Sequence, residues 1–343
     1  MTLFQMKDNQ KEDKKQPIPD QIYELVAGGW RAHILKAAIQ LDIFTAIASG
    51  LGTVETIAAA KNWAIRPTRV LLDSLCPLGF LTKKRGEYFL TPTSGAFLVS
   101  NSETYAGGSL RYFLACNTWQ QLLEAVRTGQ QKVPDACSSE FNAFWVQDAT
   151  MEAMRTSRIA ESLEMWCTVG IDPDAKWKGK VLDLASGCGI KSFVLAQHNH
   201  NAAITCVDWA GVLEVAKRLA DKWNILKQVS LWAGDVTTMD YGDSEFDAVL
   251  LGQITYHLSI DQNKSVLKKA YHALNQGGLV VIHAPTVDEE RCNSEALILA
   301  VMLFALFGEK GDFYTFSEYK AMLEEVGFSE ITKHSESLIS ARK

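Results

Sequence analysis

The feature that most constrains this chain is the rhythm of its C-terminal half. From Lys178 onward, short apolar runs alternate with helical patterns. KVLDLASGCGI, AAITCVDW, VSLWAGDV, FDAVLLGQ and LVVIHAP read as five strands. SFVLAQ, VLEVAKRLADKW and KSVLKKAYHAL lie between them with helical spacing. Strands alternating with helices predict a Rossmann-like, doubly wound α/β sheet. The final segment, SEITKHSESLISARK, fits a terminal antiparallel hairpin, which brings the strands to seven.

The N-terminal half has a different texture. Residues 21–48 read as one helix, with Ile22, Leu25, Val26, Ile34, Leu35, Ala38 and Ile39 at helical spacing and Gly50 and Gly52 closing it. Thr53 opens a second helix over VETIAAAKN, and a third begins at Arg66, where Pro67 suits a first turn. FLTKKRG and EYFLTPTS flank Arg85-Gly86 as a hairpin. Three helices and a β-wing form a winged-helix pattern. The chain of 343 residues holds about two domains of roughly 150 residues each. The expected division is a charged tail over 1–20, a mainly α winged-helix domain over 21–108, a helical stretch over 109–170, and the sheet domain over 171–343.

Charge decides what the winged helix is for. Lys and Arg number 34 against 40 Asp and Glu, a net charge of −6. Nucleic-acid binders need a basic surplus to replace counterions on phosphates. The helix from Arg66 carries Arg66 and Arg69, but otherwise Val70, Leu71, Leu72, Leu75, Cys76 and Leu78. Such a surface packs against protein, so dimerisation is the expected role and nucleic acid is excluded as a partner. The seven cysteines include no C-x-x-C pair, which fits a reducing, cytoplasmic setting. The most apolar run, Ala296 to Phe307, is twelve residues long and falls short of the roughly 20 that span a bilayer.

The chemistry concentrates at Asp183-Leu-Ala-Ser-Gly187-Cys-Gly189. Glycines after a first strand let the backbone approach a ligand at the carboxyl end of the sheet. Asp208 ends the second strand, where a carboxylate can accept both hydrogen bonds of a ribose diol. A dinucleotide turn reads G-x-G-x-x-G, but Ser192 stands at the third glycine position. Asp235, after the third strand, can accept from an adenine amino group, and Trp209 can pack on the adenine face. Two acids with a turn unsuited to pyrophosphate fit an adenosyl ligand that carries an amino acid.

These residues resemble the class I S-adenosylmethionine (SAM) methyltransferases, specifically small-molecule O-methyltransferases with an N-terminal winged-helix dimerisation domain. The resemblance covers about residues 21–343 through AAIQLDIFTAI, RVLLDSLCPLGFL, YFLTPTS, VLDLASGCG, VDWAGVLEVA, AGDV, YHLS, LNQGG and TFSEYKAMLEEVGF. It implies a homodimer, SAM as cofactor and S-adenosylhomocysteine as product. It further implies a cofactor site built from Asp183, Ala185, Gly187, Gly189, Asp208, Trp209, Asp235, Val236 and Gln253. Ala185 stands where the family has a glycine. His257, in GQITYHLS, matches the family's catalytic histidine and is the candidate base. The family's acids fall at Leu258, Ala284 and Phe313, so their carboxylates are absent here. His283 is placed either to share a substrate proton with His257 or to crowd the pocket.

No ligand cluster suggests a metal, because His198-Asn-His200 has no accompanying Cys or carboxylate. Phe141, Phe144, Trp145, Met151, Met154, Met302, Phe313 and Tyr314 are expected to wall a hydrophobic substrate cleft between the domains. Few charges lie in these segments, which disfavours a strongly anionic substrate; Arg291 and Glu295 read as surface residues. The leading reading is metal-independent methyl transfer to a hydroxyl of a secondary-metabolite-like molecule. Methylation of carbon or nitrogen, and a SAM-binding decarboxylase, hydroxylase or pericyclase of the same fold, stand as alternatives. A DNA-binding regulator ranks last.

Overall fold

The computed structural model describes residues 19–108, 110, 122–124, 126–128, 139–155, 157–173, 178–292, 295–307 and 311–343. Two compact units divide at Gly95 and Ala96.

The first unit begins with α1 (Asp20–Gln40) and α2 (Ile43–Ala48). The single helix expected over residues 21–48 is therefore broken. Asp42 adopts a left-handed φ of 54°, and the Leu41 N–H turns back to the Ala37 carbonyl. The apolar spacing continues across this break, which hides it from a periodicity argument. Helix α3 (Val54–Lys61) starts as read, with Thr53 and Thr56 in a reciprocal capping box. Helix α4 (Ile65–Leu75) and the hairpin β1 (Leu81–Lys84) and β2 (Glu87–Leu90) complete the winged helix. Asp73 on α4 ties the wing down, accepting from Lys83 at 2.6 Å and Tyr88 at 2.7 Å. A short helix, α5 (Pro92–Phe97), follows. The C-terminal end of α1 is buried at Ala38 and Ile39, whereas Leu25 is 80% and Trp30 62% exposed.

The second unit holds helices α6 (Ser139–Ala153) and α7 (Ser157–Thr168), then the sheet. Its strands are β3 (Lys180–Leu184), β4 (Ala203–Asp208), β5 (Val229–Ala233), β6 (Phe246–Gly252), β7 (Leu274–His283), β8 (Ser329–Ser335) and β9 (Leu338–Arg342). They lie in the order β5-β4-β3-β6-β7-β9-β8, with the first five parallel and β9 antiparallel to both neighbours. Helices α8 (Ile190–His198), α9 (Ala210–Lys222), α10 (Ile260–Ala273), α11 (Ala296–Phe307) and α12 (Phe316–Val326) connect them.

Strand side chains alternate between faces, so one sheet builds two cores. Leu182, Leu184, Val249, Leu251 and Ile282 belong to one core, while Val181, Ile204, Leu250 and Val281 belong to the other. The chain leaves β3 toward β4 on one side and later places β6 on the other. This reversal opens a crevice at the carboxyl ends of the strands, which is where doubly wound sheets bind ligands.

Candidate active site and cofactor cavity

A cavity of about 540 Å³ fills that crevice and is lined by residues between Trp145 and Gln262. Its size falls within the roughly 300–1,000 Å³ of small-molecule sites. The turn after β3 forms its floor. Ala185, Gly187 and Gly189 adopt φ values of 55°, 58° and 78°. This left-handed backbone explains why glycine is favoured at position 185 and why alanine there is strained.

Asp208 stands at the end of β4 with its carboxylate held on both oxygens. Oδ2 accepts from the Gly187 N–H at 2.8 Å and Oδ1 from the Trp209 N–H at 2.7 Å. Burial pushes its pKa up to about 6 against the pull of those two donors. Asp235 lies two residues beyond β5, where its Oδ1 accepts from the Thr237 N–H and hydroxyl, both at 2.7 Å. The loop beyond it is pinned by Lys269 Nζ, which donates to the carbonyls of Val236 at 3.0 Å and Met239 at 2.8 Å. Trp209, Val236 and Gln253 also line the cavity.

Asp183 does not line it. The carboxylate is 2% exposed and accepts from Ser192 Oγ at 2.6 Å. Burial pushes its pKa up to about 7, with the Ser192 bond opposing. Its observed contact braces the glycine turn against α8 from beneath. Gly189 is likewise structural here, as the left-handed N-cap of α8.

His257 reaches the cavity from a 3₁₀ turn, Thr255–His257, between β6 and α10. The turn is clamped from behind. Thr255 Oγ1 and the Tyr319 hydroxyl lie 2.6 Å apart. Asn263 Nδ2 donates to the carbonyls of Thr255 at 2.8 Å and Leu258 at 3.0 Å, and the Tyr314 hydroxyl donates to Leu258 O at 2.5 Å. Tyr256 stacks on Phe313 with 4.7 Å between ring centroids and donates its hydroxyl to Gln253 Oε1 at 2.9 Å. The Trp145 ring meets His257 edge-on, 5.5 Å between centroids.

Helix α6 contributes more than the aromatic wall read from sequence. Trp145, Asp148, Ala149 and Glu152 share one helical face, and all four line the cavity. Glu152 is paired with Arg155 at 2.7 Å and Arg158 at 2.9 Å. Burial raises its pKa, but the two guanidiniums prevail and hold it below its usual range. Arg158 and Lys191 line the same end. The Lys191 ammonium makes no hydrogen bond or ion pair among the described residues, and burial pushes its pKa down. The wall is therefore not uniformly apolar, contrary to the expectation from segment composition. Asp148, Glu152, Arg158 and Lys191 went unread because they come from three helices that only tertiary packing brings to one cavity.

The other expected substrate residues scatter. Phe144, Phe313 and Tyr314 are buried in the core behind the cavity. Met154 is 43% exposed at the end of α6, and Met151 is partly buried and does not line the cavity. His283 also lies off the lining; its Nδ1 is buried without a hydrogen-bond partner among the described residues, and burial lowers its pKa to about 4. The side chains of Phe141 and Met302 lie outside the described residues. Arg291 is no free surface charge, since it binds Asp312 at 3.1 Å and Glu318 at 2.9 Å and donates to the Phe313 carbonyl at 2.9 Å. Among the described residues, no group of three or more His, Cys, Asp or Glu side chains is set to hold a metal. Nor is any described helix long and apolar enough to cross a membrane.

Known proteins share this architecture. A methyltransferase-domain profile matches residues 181–278, and an O-methyltransferase dimerisation-domain profile matches residues 23–100. The crystal structure of a protein designated an O-methyltransferase in Nostoc punctiforme is 30% identical, with a TM-score of 0.72, over 96% of this chain and 100% of that one. This chain belongs to the small-molecule O-methyltransferase family of SAM-dependent enzymes. The 3-hydroxy-5-methyl-1-naphthoate 3-O-methyltransferase of Streptomyces sahachiroi is 27% identical over 91% of this chain and 90% of the relative. Human N-acetylserotonin methyltransferase, solved with SAM, shares the fold at 21% identity, a TM-score of 0.71, and coverage of 97% and 99%. The methyltransferase described here is thus a SAM-dependent enzyme with a dimerisation domain at its N-terminus.

Proposed function

We propose that this methyltransferase methylates a hydroxyl on a largely apolar, aromatic small molecule, with His257 as the base. The observation that carries this reading is the position of His257. It stands on the wall of the cavity that Asp208 and Asp235 also line, with its ring against Trp145.

The cavity's own chemistry fits SAM. Asp208, held by two backbone donors, is suited to a ribose diol, and Asp235 with Trp209 and Val236 to an adenine. The lining also presents both signs of charge, in Glu152, Arg158 and Lys191, which suits a zwitterionic amino acid. Lys191, whose ammonium has no partner among the described residues, is suited to the carboxylate. When bound, SAM supplies an electrophilic methyl group on a sulfonium. The chain's part is to align an acceptor and remove its proton. Neutral imidazole suits that task near neutral pH. Trp145, Ile254 and Leu258 offer apolar surface beside His257 for an aromatic acceptor. The naphthoate-methylating relative supports that choice of class. The dimerisation domain, with the exposed apolar residues of α1, supports a homodimer.

The test is S-adenosylhomocysteine release from a panel of hydroxylated naphthalenes and anthraquinones, with wild type and His257→Ala. The expected result is turnover on at least one phenol and a loss of about 10²–10⁴-fold in the variant. Near-wild-type turnover by His257→Ala sinks the base assignment.

A further inference from the structure

The acids expected to orient His257 are missing from its own side of the site. Ala284 is 1% and Phe313 0% exposed, and both belong to the apolar core behind the Tyr256 ring. The cavity nevertheless contains an acid that no other part of the site uses. Asp148 lies one helical turn beyond Trp145 on the same face of α6, and the Trp145 ring meets the His257 ring edge-on. Its carboxylate makes no hydrogen bond among the described residues. Nearby Glu152 is already engaged by Arg155 and Arg158.

We propose that Asp148 is the positioning residue for His257, a carboxylate delivered by α6 in place of the acids absent at 284 and 313. The charge of that carboxylate, on the cavity His257 also lines, stabilises the imidazolium formed when the substrate proton is taken. The proton moves from the acceptor hydroxyl to His257 and goes no further. This reading rests on His257 as the base.

The electrostatics agree with the geometry. Burial, with a smaller push from Glu152, raises the Asp148 pKa to about 6, and the His257 ring opposes the rise. The charged or titratable groups facing this pair are Glu152 and Arg155 from the same helical region, Arg158 from α7, Lys191 from α8 and Tyr256 beside His257. Burial and the charge of Asp148 both raise the Tyr256 phenol, so it stays neutral at working pH. Above about pH 6 Asp148 is ionised.

Asp148→Asn, nearly isosteric, tests this with two readouts. In cofactor-free protein labelled at histidine, the NMR titration midpoint of His257, assigned with His257→Gln, should fall by at least about half a pH unit. In the turnover assay, kcat should drop about 10- to 100-fold with acceptor KM within threefold, and Asp148→Glu should restore part of kcat. The acid limb of the kcat/KM profile should shift down in step with the NMR midpoint. An unchanged His257 titration in a folded Asp148→Asn protein overturns the proposal. A shifted titration combined with full turnover by His257→Ala upholds the coupling and rejects His257 as the base. If Asp148→Asn does not fold, the same titration is read on Asp148→Ala, which also removes the charge, and an unmoved midpoint there overturns the proposal equally.

Discussion

Asp208→Asn isolates the cofactor reading at one side chain. The wild-type carboxylate is fixed by Gly187 N–H at 2.8 Å and Trp209 N–H at 2.7 Å, which aims its remaining lone pairs at the cavity. An asparagine amide cannot reproduce this, because its NH₂ must face one of two backbone donors. Two consequences follow. The orphaned backbone N–H costs stability, about 1–3 kcal/mol. Each hydrogen bond to a ribose hydroxyl also loses its charge assistance, about 1 kcal/mol apiece. Two such bonds give about 2 kcal/mol, or about a 30-fold weaker Kd. Isothermal titration with S-adenosylhomocysteine measures this without any acceptor, and a melting curve verifies folding. The pH dependence adds a second check. Burial raises the Asp208 pKa to about 6, so the free protein protonates there and binding must displace that proton. Wild-type affinity is therefore level above about pH 6 and weakens as pH falls below it, whereas Asp208→Asn loses this dependence. A variant that binds within twofold of wild type, with the same pH profile, would refute the assignment of Asp208 to the ribose.

Two further outcomes are expected. A Cβ at Gly311 would sit 2.0 Å from the Tyr256 carbonyl oxygen and 2.6 Å from the His257 carbonyl carbon. Gly311→Ala must therefore displace the segment that carries His257, with about 1–3 kcal/mol of destabilisation and, if His257 is the base, at least about a tenfold loss of kcat; full kcat in that variant would show that the contact is immaterial. The double substitution Leu25→Glu and Trp30→Glu places charges on the exposed face of α1, and sedimentation should report half the wild-type mass, while an unchanged mass would move the dimer contact elsewhere.

The parts of this fold legible in sequence were those with a local physical cause. The strands from Lys180 onward are short apolar runs bounded by turns, and their order sets the topology. Thr53 announced α3 because its hydroxyl serves an otherwise unpaired N–H. Asp208 and Asp235 were legible because the carboxyl ends of parallel strands converge on one crevice. The break at Asp42 was not, because the apolar period runs on through it. The charged end of the cavity was hidden for another reason. Asp148, Glu152, Arg158 and Lys191 come from α6, the start of α7 and the first turn of α8, and only tertiary packing brings them to one cavity. One signal was available: Asp148 and Glu152 fall three and seven residues after Trp145, on the face that the aromatic residues assign to the interior.

The missing acids and the acid that was found have a common physical origin. A carboxylate at position 313 would stand against the Tyr256 ring, and one at 284 within the same apolar core. Both places are buried among apolar side chains, so an ionised acid there would carry a desolvation cost of several kcal/mol. With Phe313 in place, Tyr256 stacks and sends its hydroxyl to Gln253. That rigid apolar backing, with the hydrogen bonds from Asn263, Tyr314 and Tyr319, fixes the Thr255–His257 turn. It leaves the cavity side of His257 as the place where a carboxylate can keep some solvation while facing the imidazole. Helix α6 occupies that side, and Asp148 is its acid nearest Trp145. An acid supplied by α6 would make the charge state of His257 depend on a helix that also walls the cavity, so acceptor binding against Trp145 and the Asp148–His257 interaction would be coupled. Bulky changes at Trp145 should then alter kcat as well as KM, since they act on the face that holds Asp148.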